Sequence, residues 1–232
     1  MATMEFAEIE SLYTGLRVAD VRDGMDWIGL FSKGSVARSI RPLIPGSATF
    51  GPALTVRGRG SQVQPETMTP EEYTEWARNY WYKKMHIEPY AEEITPGDVL
   101  VFESPDLGVG QLGSNNTLKF RTHGANGAVT SGGCRDIDEV RLQGFPVFAQ
   151  YINQTMTQGR LEYDSHNIPV TVGNVLVRPG DIVVADGDGV IVVPQQHATE
   201  VATYARQELE HDKDARRKMY AELGWEPDRS VL

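Results

Sequence analysis

The stretch at residues 127–150, "GAVTSGGCRDIDEVRLQGFPVFAQ", constrains the fold more than any other. An apolar strand pattern breaks at Ser131-Gly132-Gly133-Cys134. A short helical pattern opens at Asp136, and a Gly-Phe-Pro corner leads into a second apolar strand. Strand, helix and strand in so few residues read as a crossover between parallel strands, hence as an α/β domain. The preceding residues repeat the order: a strand at "PGDVLVFES", a glycine-rich loop at "PDLGVGQLGSNN" and a helix at "TLKFRTHG".

The rest of the chain fits around that unit. "EFAEIESLYTGLRVADVRDGMDWIGL" spaces its apolar residues three and four apart, as two short amphipathic helices would, and "ATFGPALTVRGRG" reads as a strand with a bend or bulge at Gly51-Pro52. Residues from about 61 to 93 form an aromatic-rich insertion with a helix-start signal at Thr69-Pro70-Glu71-Glu72. Its Tyr73, Trp76, Tyr80, Trp81 and Tyr82 suit either packing onto the body or a neighbouring subunit, or a lid over a ligand pocket. After "FPVFAQYI" come a loop, two strand regions at "IPVTVGNVLVRPG" and "DIVVADGDGVIVVP", and a charged helix at about 194–223. Asp186-Gly187-Asp188-Gly189 lacks the further oxygen ligands of a calcium loop and reads as a hairpin turn.

Composition narrows the function classes. A hydrophobic share of 40% in 232 residues is enough for a core, and a net charge of −10 argues against nonspecific nucleic-acid binding. No window reaches the length of a membrane span, the first residues lack a signal-peptide layout, and Cys134 is the only cysteine. The expectation is a cytoplasmic protein with neither membrane nor nucleic-acid partners. The five histidines show no metal-binding spacing.

Two constellations can carry chemistry. Arg135 can aim its planar fork at a carboxylate, and Asp136 at a helix start can cap the helix or hold a metal; a surface ion pair beside an ordinary N-cap is the alternative. In "GQLGSNNTLKF", Ser114, Asn115 or Asn116 can cap the next helix, whose first-turn amides would form an anion site or merely begin a helix. Both lie beyond the carboxyl ends of predicted strands joined by one crossover, the rim where α/β sheets gather ligands. Cys134 beside the arginine is either activated or, as a buried thiol, inert.

Taken together, "VADVRDGMDWIG", "GPALTV", "PGDVLV", the long middle stretch and "PVTVGNVLVRPGDIVVADGDGVIVVP" resemble the family of regulator of ribonuclease activity A and the class II 4-hydroxy-4-methyl-2-oxoglutarate/4-carboxy-4-hydroxy-2-oxoadipate aldolases. The resemblance implies a single compact domain over residues 1–232, an α/β/β sandwich of the swivelling phosphohistidine kind, assembled as a homotrimer or homohexamer with sites at subunit interfaces. It implies a Mg2+ or Mn2+ ion on Asp136, a small anionic oxo-acid contacted by Arg135, and its carboxylate on the loop Gly113, Ser114, Asn115 and Asn116. It also implies an acid lent by a neighbouring subunit's C-terminal helix, matched here by Glu210 as metal ligand or by His211. Ser114 and Ser131 stand where those aldolases carry acids, so proton transfer falls to metal-bound water, Ser114, His211 or a substrate group. The expected function is a metal-dependent carbon–carbon lyase working through an enolate. The alternatives are a non-catalytic protein-binding regulator, or hydration, isomerisation or ring opening on the same site.

Overall fold

The computed structural model describes residues 4–232. Helices α1 (Phe6–Tyr13) and α2 (Val18–Trp27) come first, as the apolar spacing predicts, burying Ile9 and Tyr13 from one and Val18, Val21 and Met25 from the other. Strands β1 (Arg41–Pro42) and β2 (Thr49–Gly60) follow. The insertion holds α3 (Pro70–Trp76), a π-helical continuation at Ala77–Met85 and a 3-10 turn at Pro89–Glu93. Next come β3 (Val99–Glu103), β4 (Gly110–Leu112), α4 (Ser114–Thr122), β5 (Gly127–Cys134), α5 (Ile137–Gln143) and β6 (Val147–Ile152). Strands β7 (Leu161–His166), β8 (Val170–Val172), β9 (Val175–Val177), β10 (Ile182–Asp186) and β11 (Gly189–Val193) precede the long helix α6 (Ala198–Leu223).

The main sheet has nine strands, in the order β1-β6-β5-β3-β2-β10-β11, with β4 on β5 and β7 on β2. Its centre is parallel, β2 to β3 to β5 to β6, and its flanks are antiparallel. The two ends of that path curl toward each other. Arg41 of β1 donates to the Asp188 carbonyl at 2.8 Å in the β10–β11 turn, and Ser35 forms a strand-like bridge to Ile191. The result is a mixed α/β domain with a nearly closed, barrel-like sheet.

Alternation along each strand sorts the core into three parts. Val99 and Val101 of β3 meet Val183 of β10 and Val192 of β11 inside the barrel. Leu100 and Phe102, pointing the other way, pack outward with Phe120 of α4 and Val140 of α5. On the opposite side, Ile182 and Val184 pack against the buried faces of α1, α2 and α6.

Three local readings change. Gly51-Pro52 makes neither bend nor bulge: β2 runs straight through it, and the register shifts at Arg57/Gly58, where β7 pairs. Residues 161–166, expected as loop, form β7, and the glycine-rich loop contains β4. The Asp186–Gly189 hairpin is as expected, with those two residues paired across the turn. Among the described residues, no helix is long and apolar enough to cross a membrane.

Candidate functional site

The crossover β3–α4–β5 brings the two loops together. At the end of β5, the Arg135 amide donates to the Leu112 carbonyl of β4 at 2.8 Å, which fixes the arginine beside the start of α4. Asp136 then turns into the left-handed region at φ 54°. That turn sends its carboxylate away from α5 and toward α4. One oxygen, Oδ2, accepts from both the amide and the hydroxyl of Ser114 at 3.2 Å, and Oδ1 accepts from Arg135 Nε at 3.1 Å. The expected cap on its own helix is therefore not made; Asp136 instead satisfies the first amide of a different helix, where the dipole favours an anion.

This close approach explains the loop glycines. A Cβ on Gly113 would lie 2.7 Å from Asp136 Oδ2, and one on Gly110 would lie 2.6 Å from Arg135 Cβ. A larger residue at Gly113 would displace the Asp136 carboxylate, and one at Gly110 would strike the Asn153 carbonyl as well as Arg135.

Electrostatics follow the contacts. Partial burial opposes ionisation of Asp136, but the Arg135 and Ser114 hydrogen bonds together with the Arg135 charge outweigh it and hold the carboxyl below its ordinary range. Burial pushes the Cys134 thiol up to about 12, so it is an inert core group rather than an activated one.

Arg135 lines a cavity of about 310 Å³ together with Tyr82, His86, Glu88, Gln111 and Lys119. The insertion thus does both things its aromatics allow. Trp81 is fully buried and anchors the segment, while Tyr82 on the next position, close enough to feel the Arg135 charge, becomes a wall of the cavity. A π-helix is rare and recurs at functional sites, which fits this placement. Asn116 joins the wall to α4: its Oδ1 accepts from the Gly113 amide at 3.2 Å and its Nδ2 donates to Glu88 Oε1 at 2.5 Å. Lys119 holds the other Glu88 oxygen at 3.4 Å. His86, Glu88, Lys119 and Gln111 are absent from the sequence-based set. Their only signal was a histidine and an acid closing an otherwise aromatic segment.

Other expected residues stand apart. Asn115 is exposed and contributes no contact to the cluster. The Ser131 hydroxyl accepts from the Ser104 amide at 2.8 Å and donates to its carbonyl at 3.0 Å, cross-linking β5 to the segment after β3. Glu210 and His211 are exposed on α6; Glu210 pairs with Lys213 at 3.2 Å, and neither lines the Arg135 cavity of its own chain.

A larger cavity, about 830 Å³, lies between the β10–β11 turn and α6. Three of its cations, Arg17, Lys213 and Arg216, are already paired with Asp20, Glu210 and Asp212, so most of its charge is spent within the chain. The smaller cavity is the better candidate because Arg135 reaches it and the His86 ring lines it.

Among the described residues, no group of three or more His, Cys, Asp or Glu side chains stands ready to hold a metal. A carboxylate offers about four lone-pair positions, and Asp136 uses three of them on its donors. One remains, enough for a single bond to a cation. Mg2+ keeps several waters and takes one or two carboxylates, so the residues fit it as a one-carboxylate site completed by water and substrate oxygens.

Comparison with known proteins supplies the lineage. A protein DlpA of Legionella pneumophila is 27% identical over 188 residues, covering 79% of this chain and 27% of that protein. A Halalkalibacterium halodurans protein, provisionally named 4-hydroxy-4-methyl-2-oxoglutarate aldolase, is 30% identical over 122 residues, covering 52% of this chain and 58% of that one. The chain thus spans less than two thirds of either relative's length. The structure of Streptomyces coelicolor RraAS2, described as an unusual member of the RNase ES inhibitor RraA protein family, superposes with a TM-score of 0.73 at 26% identity, over 93% of this chain and 98% of that one. The family model described as RraA-like, Aldolase/RraA, matches residues 18–192. That match runs from α2 into β11 and includes Arg135, Asp136 and the loop before α4, and the chain belongs to the RraA-like family.

Proposed function

We propose that this protein is a carbon–carbon lyase that cleaves a small 2-oxo acid through an enolate, by retro-aldol reaction or decarboxylation. The observation that carries the reading is the bonding of Asp136 to both Ser114 and Arg135, which sets an arginine fork and a single open carboxylate position side by side. A Mg2+ or Mn2+ ion on Asp136 would supply the electrophile for the 2-oxo oxygen.

The chain's own residues do the rest. Arg135 provides donors, fixed before the reaction, for the oxygen on which charge develops. Ser114 orients Asp136. Because Asp136 already takes the Ser114 amide, the substrate carboxylate is assigned to Arg135, Lys119 and Asn116 rather than to an open helix N-terminus. A cavity of 310 Å³ is at the small end for ligand sites and suits a short oxo-acid.

Glu210 and His211 enter this scheme only from a second subunit. Exposed apolar residues near the end of α6, Met219, Leu223 and Trp225, favour such an assembly, a homotrimer or homohexamer. The test is pyruvate release from 4-hydroxy-4-methyl-2-oxoglutarate and from oxaloacetate, with Mg2+ or Mn2+ and with a chelator. Metal-dependent release that falls at least about 100-fold in Arg135→Lys supports the lyase. Absence of release from either substrate returns the chain to a protein-binding regulator, the reading that its likeness to RraAS2 favours.

A further inference from the structure

We infer that His86, carried by the aromatic insertion, is the base of this site, taking a proton on Nε2 from the substrate hydroxyl. The inference rests on the lyase reading and adds to it the group that moves the proton.

The first support is the ring's fixed tautomer. His86 Nδ1 lies 3.2 Å from the Leu161 carbonyl, which can only accept, so the proton sits on Nδ1 and the lone pair on Nε2. Among the described residues, nothing pairs with Nε2. A histidine that serves only to pack normally uses both nitrogens or hides them; this one leaves its basic nitrogen unclaimed in a ring that lines the Arg135 cavity.

The second support is elimination among the cavity's other walls. Arg135 and Lys119 only donate. Glu88 holds a donor on each oxygen, Asn116 on one and Lys119 on the other, and a carboxylate is ordinarily a weaker base than an imidazole. The Tyr82 hydroxyl accepts from Gln158 at 2.6 Å, and burial keeps it protonated at neutral pH. The Gln111 Oε1 accepts from the Thr130 hydroxyl at 3.0 Å, and an amide is no base in any case. Asp136, which is bonded to the wall residue Arg135 without lining the cavity itself, has three donors on it and is held below its ordinary pKa, which makes it a poor proton acceptor. His86 is the wall whose basic nitrogen carries no partner among the described residues.

The third support is the charge setting. Burial favours the neutral ring, and the Glu88 carboxylate opposes this only in part, so the pKa lies below the ordinary 6.5 and the base form is present at neutral pH. The charged and titratable groups sharing the cavity are Tyr82 and Glu88 from the insertion, Lys119 from α4 and Arg135 from the end of β5.

The step balances without any co-reactant. The proton of the 4-hydroxyl moves to Nε2, and the oxygen's electron pair becomes the new carbonyl at C4. The C3–C4 bond breaks, and its pair forms the C2–C3 enolate beside Arg135. The imidazolium then returns the proton to C3, leaving a 2-oxo acid and regenerating the neutral ring. Decarboxylation of oxaloacetate has no hydroxyl proton to remove and does not need the first transfer.

That difference gives the test. In His86→Gln, cleavage of 4-hydroxy-4-methyl-2-oxoglutarate should fall about 100-fold or more while oxaloacetate decarboxylation falls less than about tenfold. The acid limb of wild-type kcat/KM for the hydroxy acid should lie below pH 6.5 and be absent for oxaloacetate. Equal losses on both substrates, or on neither, overturn the assignment. A readout independent of turnover is nitrogen NMR of the histidine-labelled chain with Mg2+ and oxalate, a mimic of the pyruvate enolate. His86 should be neutral with the proton on Nδ1 at pH 7, and its Nε2 signal should shift on oxalate binding. A protonated ring, the opposite tautomer or an unmoved signal overturns the inference even if the wild type cleaves substrate. If the wild type cleaves nothing yet Nε2 responds to oxalate, the lyase reading fails and His86 stands as a ligand-facing base of another reaction.

Discussion

Asp136 illustrates how one backbone angle decides a side chain's job. In the left-handed region at φ 54°, aspartate and asparagine are tolerated better than alanine, so Asp136→Asn is a cleaner probe than removal of the side chain. The variant should fold with a loss of about 0.5–2 kcal/mol, the range for a helix-end carboxylate, and should lose divalent-ion binding; an unchanged calorimetric isotherm removes Asp136 as a ligand. Its titration adds a second check. The carboxyl is held below its ordinary value of 3.8, so its stabilisation is complete above that value and is lost as pH falls through the lower folded value. Wild type should therefore lose more stability than Asp136→Asn when acidified below about pH 3.8, as read by denaturant titration. Ser114→Asp would place a second carboxylate against Asp136 Oδ2, where the serine now sits at 3.2 Å. Like charges at that distance raise one of the two pKa values, so the variant should weaken binding of an anionic ligand such as oxalate; unchanged binding would exclude position 114 from the site.

At the scale of elements, the insertion hangs on few contacts. Helix α3 buries no residue, and the π-helical stretch buries only Ala77 and Trp81. Trp81→Ala should cost about 3–5 kcal/mol locally, release residues 77–85 to hydrogen exchange and raise KM through Tyr82 and His86. Because the Trp81 ring nitrogen is buried without a partner, Trp81→Phe should cost much less, and an equal loss in both variants would show that more than apolar contact holds the segment. The start of this segment was legible: Thr69 and Glu72 form the reciprocal cap that their spacing announces. So was the meeting of the two loops, since a crossover between parallel strands leaves little choice of rim. Strand β7 was hidden because "LEYDSH" keeps only its first residues buried and takes its pairing from β2, remote in sequence. The roles of His86 and Glu88 were hidden for the same reason. Neither residue carries a local pattern; each gains its meaning from Leu161, Asn116 or Lys119 across the fold.

For the whole molecule, subunit mixing decides whether one chain makes a site by itself. Glu210 and His211 are exposed on α6 while the Arg135 cavity is walled by the insertion, α4 and the end of β5. If a neighbour completes the site, Arg135→Lys subunits mixed with a Glu210→Ala/His211→Ala double variant should regain activity that neither has alone. No recovery after subunit exchange, checked by sedimentation, would make each chain self-sufficient. Fold class was readable from the strand and helix order alone, whereas closure of the sheet was not. It shows in Arg41 reaching the β10–β11 turn, a contact between the two ends of the sheet that no local periodicity encodes.

The burial of Cys134 has a practical corollary. A thiol whose pKa is pushed up to about 12 inside the core carries almost no thiolate at neutral pH, so the native chain should be silent to maleimides and take up one equivalent only after unfolding. With the native background dark, a cysteine introduced at exposed Asn79 on the outer side of the insertion could carry a single fluorophore. Its emission would then report any movement of the segment over the cavity, in real time and without any substrate being turned over.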